Sequence, residues 1–569
     1  MKIRTVLPAC LLMAAPTAFG QSLLLDLVGN DALDQYGTSS IAIDDINGDG
    51  VPDLAIGAPT AGLGGEVYVT SGADGALIRT LVAPGQLQPP DSETYYGFCL
   101  SALGDQDGDG IGEIAIGIPG QQLFTGERNG AVQVVSGATG AAILLAVGVN
   151  SGASFGAGIA NGGDVDGDGF DDLWVGAPNA FIQGQRRGIA TLLSVATASY
   201  LQTISGPSDR SSFGDTIAVL PDVDGDGEDD LVVTAPGDSD PGGLTAGSVS
   251  TFSGATGALL FRIYGTTTTR FSNVHVAAVP DTNGDGISDI AIGARRGFVA
   301  GSENGIVRLI SGSDGSLIRN VLGQNAGAEF GHFVAGIDDL DGDGAGELLV
   351  GEPFFGGGLT SIGAFHVISG GTGQTLHRRT GNEPGAFLGL RVANLGDLDG
   401  DGTPEYAASS YTRNGMTNGA LSIYLGADAP VIRQCQNAIP NSTGQVSVMG
   451  FEGTSRVAFN RATLRTDRLP PGVFGLYITS RVYQILPIPG GTFAQLCIGG
   501  DLGRINQVLQ ASPSGSFSLD IDLTALPTTN AFVAATPGET WHFQAWHRDT
   551  PSGASWGFNL SDTVGILMR

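Results

Sequence analysis

The sequence predicts an all-β protein: a seven-bladed β-propeller with four strands per blade, followed by a small β-sandwich. Three observations carry this. A nine-residue acidic string recurs seven times, its starts 60, 59, 58, 59, 58 and 58 residues apart. Each unit so defined holds about four short apolar or alternating runs bounded by Gly, Asp and Pro, which read as strands. No segment sustains a helical period. Four strands per ~50–60 residues, repeated four to eight times, is the build of radial blades. Radial closure also answers the edge-strand problem, leaving only short, protected edges.

In chain order, residues 1–20 come first. Lys2 and Arg4 precede an apolar run from Val6 to Ala18, and Ala18-Phe19-Gly20 is a small-x-small cleavage site. This reads as a signal peptide cut after Gly20, so the chain is expected to be secreted, extracellular or at a cell surface. No later stretch reaches the roughly 18 apolar residues of a membrane span, so no transmembrane segment is expected. The propeller is assigned to 21–430. The segment Ser22 to Gly29 (SLLLDLVG) resembles the fourth strand of a unit but precedes the first one. The seventh unit shows only three strands, the last near Ala420 to Leu425. The N-terminal strand is therefore predicted to complete blade seven.

Within each unit an aromatic residue, usually followed by Gly, leads the first strand: Tyr36-Gly37, Tyr96-Gly97, Phe155-Gly156, Phe213-Gly214 and Phe330-Gly331. Phe271 and Phe387 hold the place where the glycine is displaced. The second strand follows the acidic string and ends in Gly-Ala-Pro or a variant: DLAIGAP, EIAIGIP, DLWVGAP, DLVVTAP, DIAIGAR, ELLVGEP and EYAASSY. The third ends near Ser-Gly (EVYVTSG, AVQVVSG), and a fourth follows (ALIRTL, ALLFRI).

The acidic strings carry the chemistry. Oxygen-bearing side chains stand at positions 1, 3, 5 and 9 of each. They are Asp45, Asn47, Asp49 and Asp53; Asp105, Asp107, Asp109 and Glu113; Asp164, Asp166, Asp168 and Asp172; and Asp222, Asp224, Asp226 and Asp230. The last three strings supply Asp281, Asn283, Asp285 and Asp289; Asp339, Asp341, Asp343 and Glu347; and Asp397, Asp399, Asp401 and Glu405. Alternate residues of a tight loop converge on one centre, and Gly at position 6 permits the turn. Hard oxygen donors in a flexible loop suit Ca²⁺, up to seven ions here, rather than Mg²⁺ or Zn²⁺. An EF-hand needs a bidentate Glu at position 12, where this chain has Ile56, Ile116 and Val175 inside apolar strands. The loops with Asn47 and Asn283 have one charge fewer and are expected to bind less tightly.

This places the charge. The 569 residues carry a formal net charge of −31, and 26 of the 57 acids lie in the seven loops. Lys2 is the only lysine, which excludes lysine-based nucleotide and Schiff-base chemistry beyond it. The acidity repels phosphate, so nucleic acid is not an expected partner. The string Gly152-Ala153-Ser154-Phe155-Gly156 matches a nucleophile elbow, but no helical pattern follows, and Phe155-Gly156 is the third unit's own aromatic-Gly pair.

The unit resembles the FG-GAP repeat, and seven of them resemble the N-terminal propeller of integrin α-chains. The resemblance covers residues 22 to about 430. It departs from integrins in having no domain inserted between blades, and in keeping the acidic loop in all seven blades where integrins keep it in some. The resemblance implies a non-catalytic adhesion or ligand-binding protein with an extracellular protein or glycan partner; a monomer is expected. It also implies that the ligand face lies opposite the metal loops, among the loops after GAP and before FG. These loops hold eight of the propeller's fifteen arginines. Among them, Arg186-Arg187 and Arg295-Arg296 could grip a carboxylate or sulfate. The alternatives are an extracellular hydrolase or polysaccharide-processing protein, since FG-GAP propellers also accompany such activities, and a structural surface-layer component.

Residues 431–569 leave the repeat. Alternating runs such as GVFGLYITSRV, SFSLDIDL and TWHFQAWHRD predict a small β-sandwich. Through CQNAIPNSTG, CIGGDLGR and ETWHFQAWHRD this region resembles a C-terminal module of large secreted bacterial proteins. Cys435 and Cys497 could pair in an oxidising compartment, as geometry decides. Cys99, alone in an apolar stretch, reads as a buried thiol. Trp541, Trp546 and Trp556 could pack a core or form a sugar platform.

Overall fold

The computed structural model describes residues 22–84, 94–121, 128–412, 415–426 and 432–434. It also describes 441–568, apart from 444, 456, 458, 461, 488–494, 538 and 550–558. The predicted signal peptide 1–20, Arg413, Cys435 and Trp556 lie outside the described residues. The one helical turn among the described residues is a 3-10 turn at Gly358–Thr360.

Seven four-stranded antiparallel sheets follow one another along the chain. Blade one is built from Ser39–Ile43, Asp53–Ala58, Glu66–Thr70 and Leu77–Val82. Blade seven takes Val392–Gly396, Glu405–Ser410 and Ala420–Tyr424 from the end of the array, and Leu23–Val28 from its start. The N-terminal strand thus pairs with Ala420–Tyr424 as predicted. It also adopts the register of a fourth strand. In blade one the pairing slips between Val69 and Thr70, in blade six between Val367 and Ile368, and in blade seven at the corresponding Ile423 and Tyr424. A repeated bulge of this kind adds local twist to the outer strand.

The innermost strands touch in sequence around the ring, blade seven meeting blade one. Between every two neighbouring blades lies a buried apolar cluster. Val67 and Val69 meet Ile114 and Ile116 between blades one and two. Leu24, Leu25, Leu421 and Ile423 meet Leu54 and Ile56 at the closing seam. The second strands are buried on both faces, which is why they read as continuous apolar runs rather than alternating ones.

The FG and GAP elements owe their glycines to one contact between neighbours. A Cβ on Gly57 would collide with the carbonyl oxygen of Gly97, the FG glycine of the next blade. Gly117, Gly176, Gly293 and Gly351 meet the following blade in the same way. Two blades depart: Thr234 replaces the GAP glycine of blade four, next to the blade whose FG glycine is Ser272, and Ser409 replaces it in blade seven, where its Cβ lies close against Gly37. The residue before the FG aromatic is left-handed in six blades, with φ of 48–58° at Gln35, Tyr95, Ser154, Ser212, Glu329 and Phe387. This corrects the alignment of blade seven. Phe387 occupies the preceding position, and Leu388-Gly389 holds the FG place, Gly389 N–H donating to Ser409 O as Gly37 N–H donates to Gly57 O.

The C-terminal sandwich packs two sheets over one core. Val448–Gly453, Ala462–Asp467 and Phe517–Ile521 form one sheet; Phe474–Ser480, Thr540–His547 and Asn559–Leu567 anchor the other. Met449, Leu464, Tyr477, Phe517, Trp541 and Phe543 fill the space between them. Trp541 is therefore a core residue, not part of a sugar platform. Cys497 is buried and disulfide-bonded.

Candidate functional site

Each acidic string connects the first and second strands of a blade, so all seven loops stand at one end of the ring. The FG and GAP elements stand at the other end of the same two strands. The loops share one internal geometry. The position-1 carboxylate accepts backbone N–H groups from its own turn: Asp339 Oδ1 from Gly342 at 2.7 Å and Oδ2 from Gly344 at 2.8 Å. Asp45 does the same with Gly48 and Gly50. The position-9 carboxylate reaches back to the N–H of position 2, as in Ile46 to Asp53 at 2.8 Å and Val223 to Asp230 at 2.8 Å. Positions 1, 3 and 9 are thereby turned toward one point.

All seven position-9 acids are buried, none more than 1% exposed. A buried carboxylate without a counter-charge is costly, and here like charges crowd it. In five loops the donors fall within 4.8 Å of one another: Asp105, Asp107 and Glu113; Asp164, Asp166 and Asp172; Asp222, Asp224 and Asp230; Asp397, Asp399 and Glu405; and all four acids of the string that ends at Glu347. Buried Glu113 Oε1, Asp172 Oδ1 and Glu347 Oε1 have no hydrogen-bond partner. Burial, reinforced by neighbouring carboxylates, pushes Glu113 up to about 7, Asp172 to about 6, Glu347 to about 8 and Glu405 to about 9. Such clusters could hold a metal ion, and an all-oxygen donor set with orphaned buried oxygens fits a hard cation.

The remaining predicted ligands are placed differently. Asp226 Oδ2 accepts from Ser253 Oγ at 2.9 Å, and Asp49 Oδ2 from Ser71 Oγ at 3.0 Å, tying position 5 to the following turn. Asp109, Asp168 and Asp401 also lie outside the close groups of their loops. In the two Asn-bearing loops the amide stands in for charge: Asn47 Nδ2 donates to Asp53 Oδ1 and Asn283 Nδ2 to Asp289 Oδ1, each at 3.2 Å. The seventh loop is also covered from outside. Thr454 of the C-terminal region hydrogen-bonds to Asp399, and Phe459 joins the closing apolar cluster.

Neither arginine pair forms a two-residue fork on the opposite face. Arg187 is held by Gln185 Oε1, at 2.8 Å from Nε and 2.6 Å from Nη2, and Arg186 stands exposed on a two-residue hairpin strand. Arg295 donates to Asn273 Oδ1 at 2.8 Å and lies 3.5 Å from Glu329, while Arg296 is exposed. Ser154 is no elbow nucleophile: its left-handed backbone recurs at the same place in five other blades, and its Oγ accepts from Asn179 Nδ2. Burial pushes the Cys99 thiol up to about 12, and it donates to Gly156 O, an inert inter-blade tie.

One feature of this face escaped sequence reasoning. A cavity of about 820 Å³ lies on the propeller axis at the FG and GAP end. Its lining includes Arg391, Phe333 and His275, residues that no motif singles out. Comparing the seven units at the residue facing the first position of GAP would have exposed them.

The comparisons with known proteins agree with this architecture. The FG-GAP repeat profile matches residues 37–70, 155–193 and 213–252. The chain is similar to integrin alpha-PS5 of Drosophila melanogaster, 30% identical over 191 residues, covering 28% of this chain and 18% of that protein. It is 28% identical to integrin alpha-5 of Xenopus laevis over 220 residues, 36% of this chain and 20% of that one. It is 37% identical to integrin alpha-7 of Mus musculus over 153 residues, 24% of this chain and 12% of that one. The matched region thus spans at most a fifth of these relatives' own length. Three stretches of the chain thus match the FG-GAP repeat, and its propeller resembles that of integrin α-chains.

Proposed function

We propose that this protein is an exported, calcium-stabilised propeller acting as a non-catalytic adhesion or ligand-binding module. The signal-peptide pattern in 1–20 supports export. Ca²⁺ held by the acidic loops neutralises the buried carboxylates and braces each first strand to the second, leaving the FG and GAP face for a partner. The inner edge strands of the blades face the axis, away from another chain, which favours a monomer.

The observation that carries this reading is the coincidence of FG-GAP repeats with buried, convergent carboxylates in five of the seven loops. Among the described residues no helix is long and apolar enough to cross a membrane. The test is a glycan array together with a pull-down of cell-surface proteins, each with Ca²⁺ and with EDTA. Selective binding that EDTA abolishes is expected. Absence of binding to both, or binding indifferent to EDTA, overturns the reading.

A further inference from the structure

The seven units are near copies, so a position that differs sharply between them marks what symmetry alone does not require. The residue paired with the first position of GAP is such a place. It faces the axial cavity in every blade. Blades one to four present Ser39, Cys99, Gly158 and Thr216 there; blades five to seven present His275, Phe333 and Arg391. One half of the ring is thus hollowed by small side chains, and the other carries a stacked wall. The His275 and Phe333 rings are 3.4 Å apart between centroids, tilted by 32°, and the Arg391 guanidinium lies 4.9 Å from the centre of the Phe333 ring.

The charges in this cavity are not paired with each other. Arg391 donates from Nη1 to Leu390 O at 3.1 Å and forms no ion pair among the described residues. Burial, then Arg295, lowers its pKa to about 10, so it stays cationic at neutral pH. Asp215, on the blade-four side of the cavity, has no ion-pair or hydrogen-bond partner among the described residues, and Arg295 is the opposite charge that acts on it from a distance. Burial, with Arg391 and His332 nearby, holds His275 down at about 3, so it adds no positive charge. Two opposite charges facing one cavity from rigid, separate blades cannot relax onto each other. Arg391 is half-buried and Asp215 exposed to the cavity, so both stay open to a ligand that answers each.

We propose that the axial cavity binds an acidic saccharide, its carboxylate gripped by Arg391 above the Phe333 ring and its hydroxyls donating to Asp215. This deepens the ligand-binding reading above and rests on it. The planar guanidinium fork matches a carboxylate. Asp215 disfavours a polyanion such as a phosphate ester and requires donors, which a sugar ring supplies in number. Phe98, an exposed aromatic in the lining, offers an apolar face to sugar C–H groups. The volume lies inside the ligand-pocket range of roughly 300–1,000 Å³ and exceeds what a single amino acid fills. The acidic loops stand at the opposite end of the strands, where solvent ions screen them.

The test uses the full chain with Ca²⁺ and three uronate disaccharides (α-linked digalacturonate, β-linked diglucuronate and β-linked dimannuronate), each beside its uncharged methyl ester, in titration calorimetry. Binding of at least one uronate is expected, weakened roughly ten- to a hundredfold in its ester, because a charge-assisted hydrogen bond is lost. Arg391→Gln is expected to lose the same factor. Asp215→Asn, which breaks no packing or hydrogen bond, is expected to weaken binding at unchanged melting temperature. Equal affinity for acid and ester, preference for free L-glutamate, or no binding of any uronate overturns the proposal. If uronates fail while EDTA still abolishes partner capture, the inference falls alone; if partner capture also fails, the ligand-binding reading falls with it.

Discussion

Replacing Glu347 by Gln separates two roles that the buried carboxylate of the sixth loop can play. In one it is only an acceptor for the Leu340 N–H, which it receives at 2.5 Å. In the other it is also a cation ligand, through an Oε1 that has no partner and lies among three aspartates. Gln keeps the shape and the acceptor but loses the charge. With a dissociation constant of roughly 10⁻⁴–10⁻³ M, about 10 mM Ca²⁺ contributes about 1.4–2.7 kcal/mol from one site by mass action. A propeller of roughly 400 residues unfolds with an entropy of about 0.85 kcal/mol/K. Losing the site therefore lowers the melting temperature by about 2–3 °C in calcium. In EDTA the loss disappears: without a cation Glu347, pushed up to about 8, is mostly protonated at neutral pH, and Gln is likewise neutral and can donate to the neighbouring aspartates, so the variant melts no lower than the parent. Differential scanning calorimetry of both proteins in both buffers reads this directly. An equal loss in calcium and in EDTA refutes the metal role and leaves Glu347 as a structural acceptor.

Two further outcomes follow from the packing. Leu25 is fully buried in the seam that closes the ring, so Leu25→Ala is expected to cost about 2–5 kcal/mol in urea unfolding; a loss below about 1 kcal/mol would contradict closure by the N-terminal strand. His547 is buried beside Ser447, and burial lowers its pKa to about 4 against about 6.5 when unfolded. Its folded pKa is the lower, so its contribution is complete above about pH 6.5 and lost as pH falls toward 4. The loss reaches about 3 kcal/mol, and His547→Gln should flatten this part of the pH profile of unfolding free energy.

Much of this was legible in the sequence because repetition converts weak local signals into strong ones. One acidic turn is ambiguous, but seven at a fixed spacing locate every first and second strand. The missing fourth strand of blade seven and the stray Ser22 to Gly29 pointed to each other for the same reason. What repetition hides is departure from itself. Leu388 was overlooked because Phe387 supplied a ready aromatic, whereas the left-handed backbone before FG decides the register. Arg391, Phe333 and His275 carry no motif and became visible only once pairing aligned the blades. The contact of Thr454 with Asp399 joins residues of two different regions, and no local pattern encodes it. The Arg295-Arg296 pair looked like a fork because adjacency in sequence says nothing of Glu329 and Asn273, which hold Arg295.

The most direct measurement is the number of calcium ions bound per chain, by equilibrium dialysis of the full-length protein against graded free Ca²⁺. The account predicts five ions at the carboxylate clusters that include Glu113, Asp172, Asp230, Glu347 and Glu405, with two more binding weakly at the Asn47 and Asn283 loops. No bound calcium at about 1 mM free ion, where extracellular sites are ordinarily half filled or better, would contradict it.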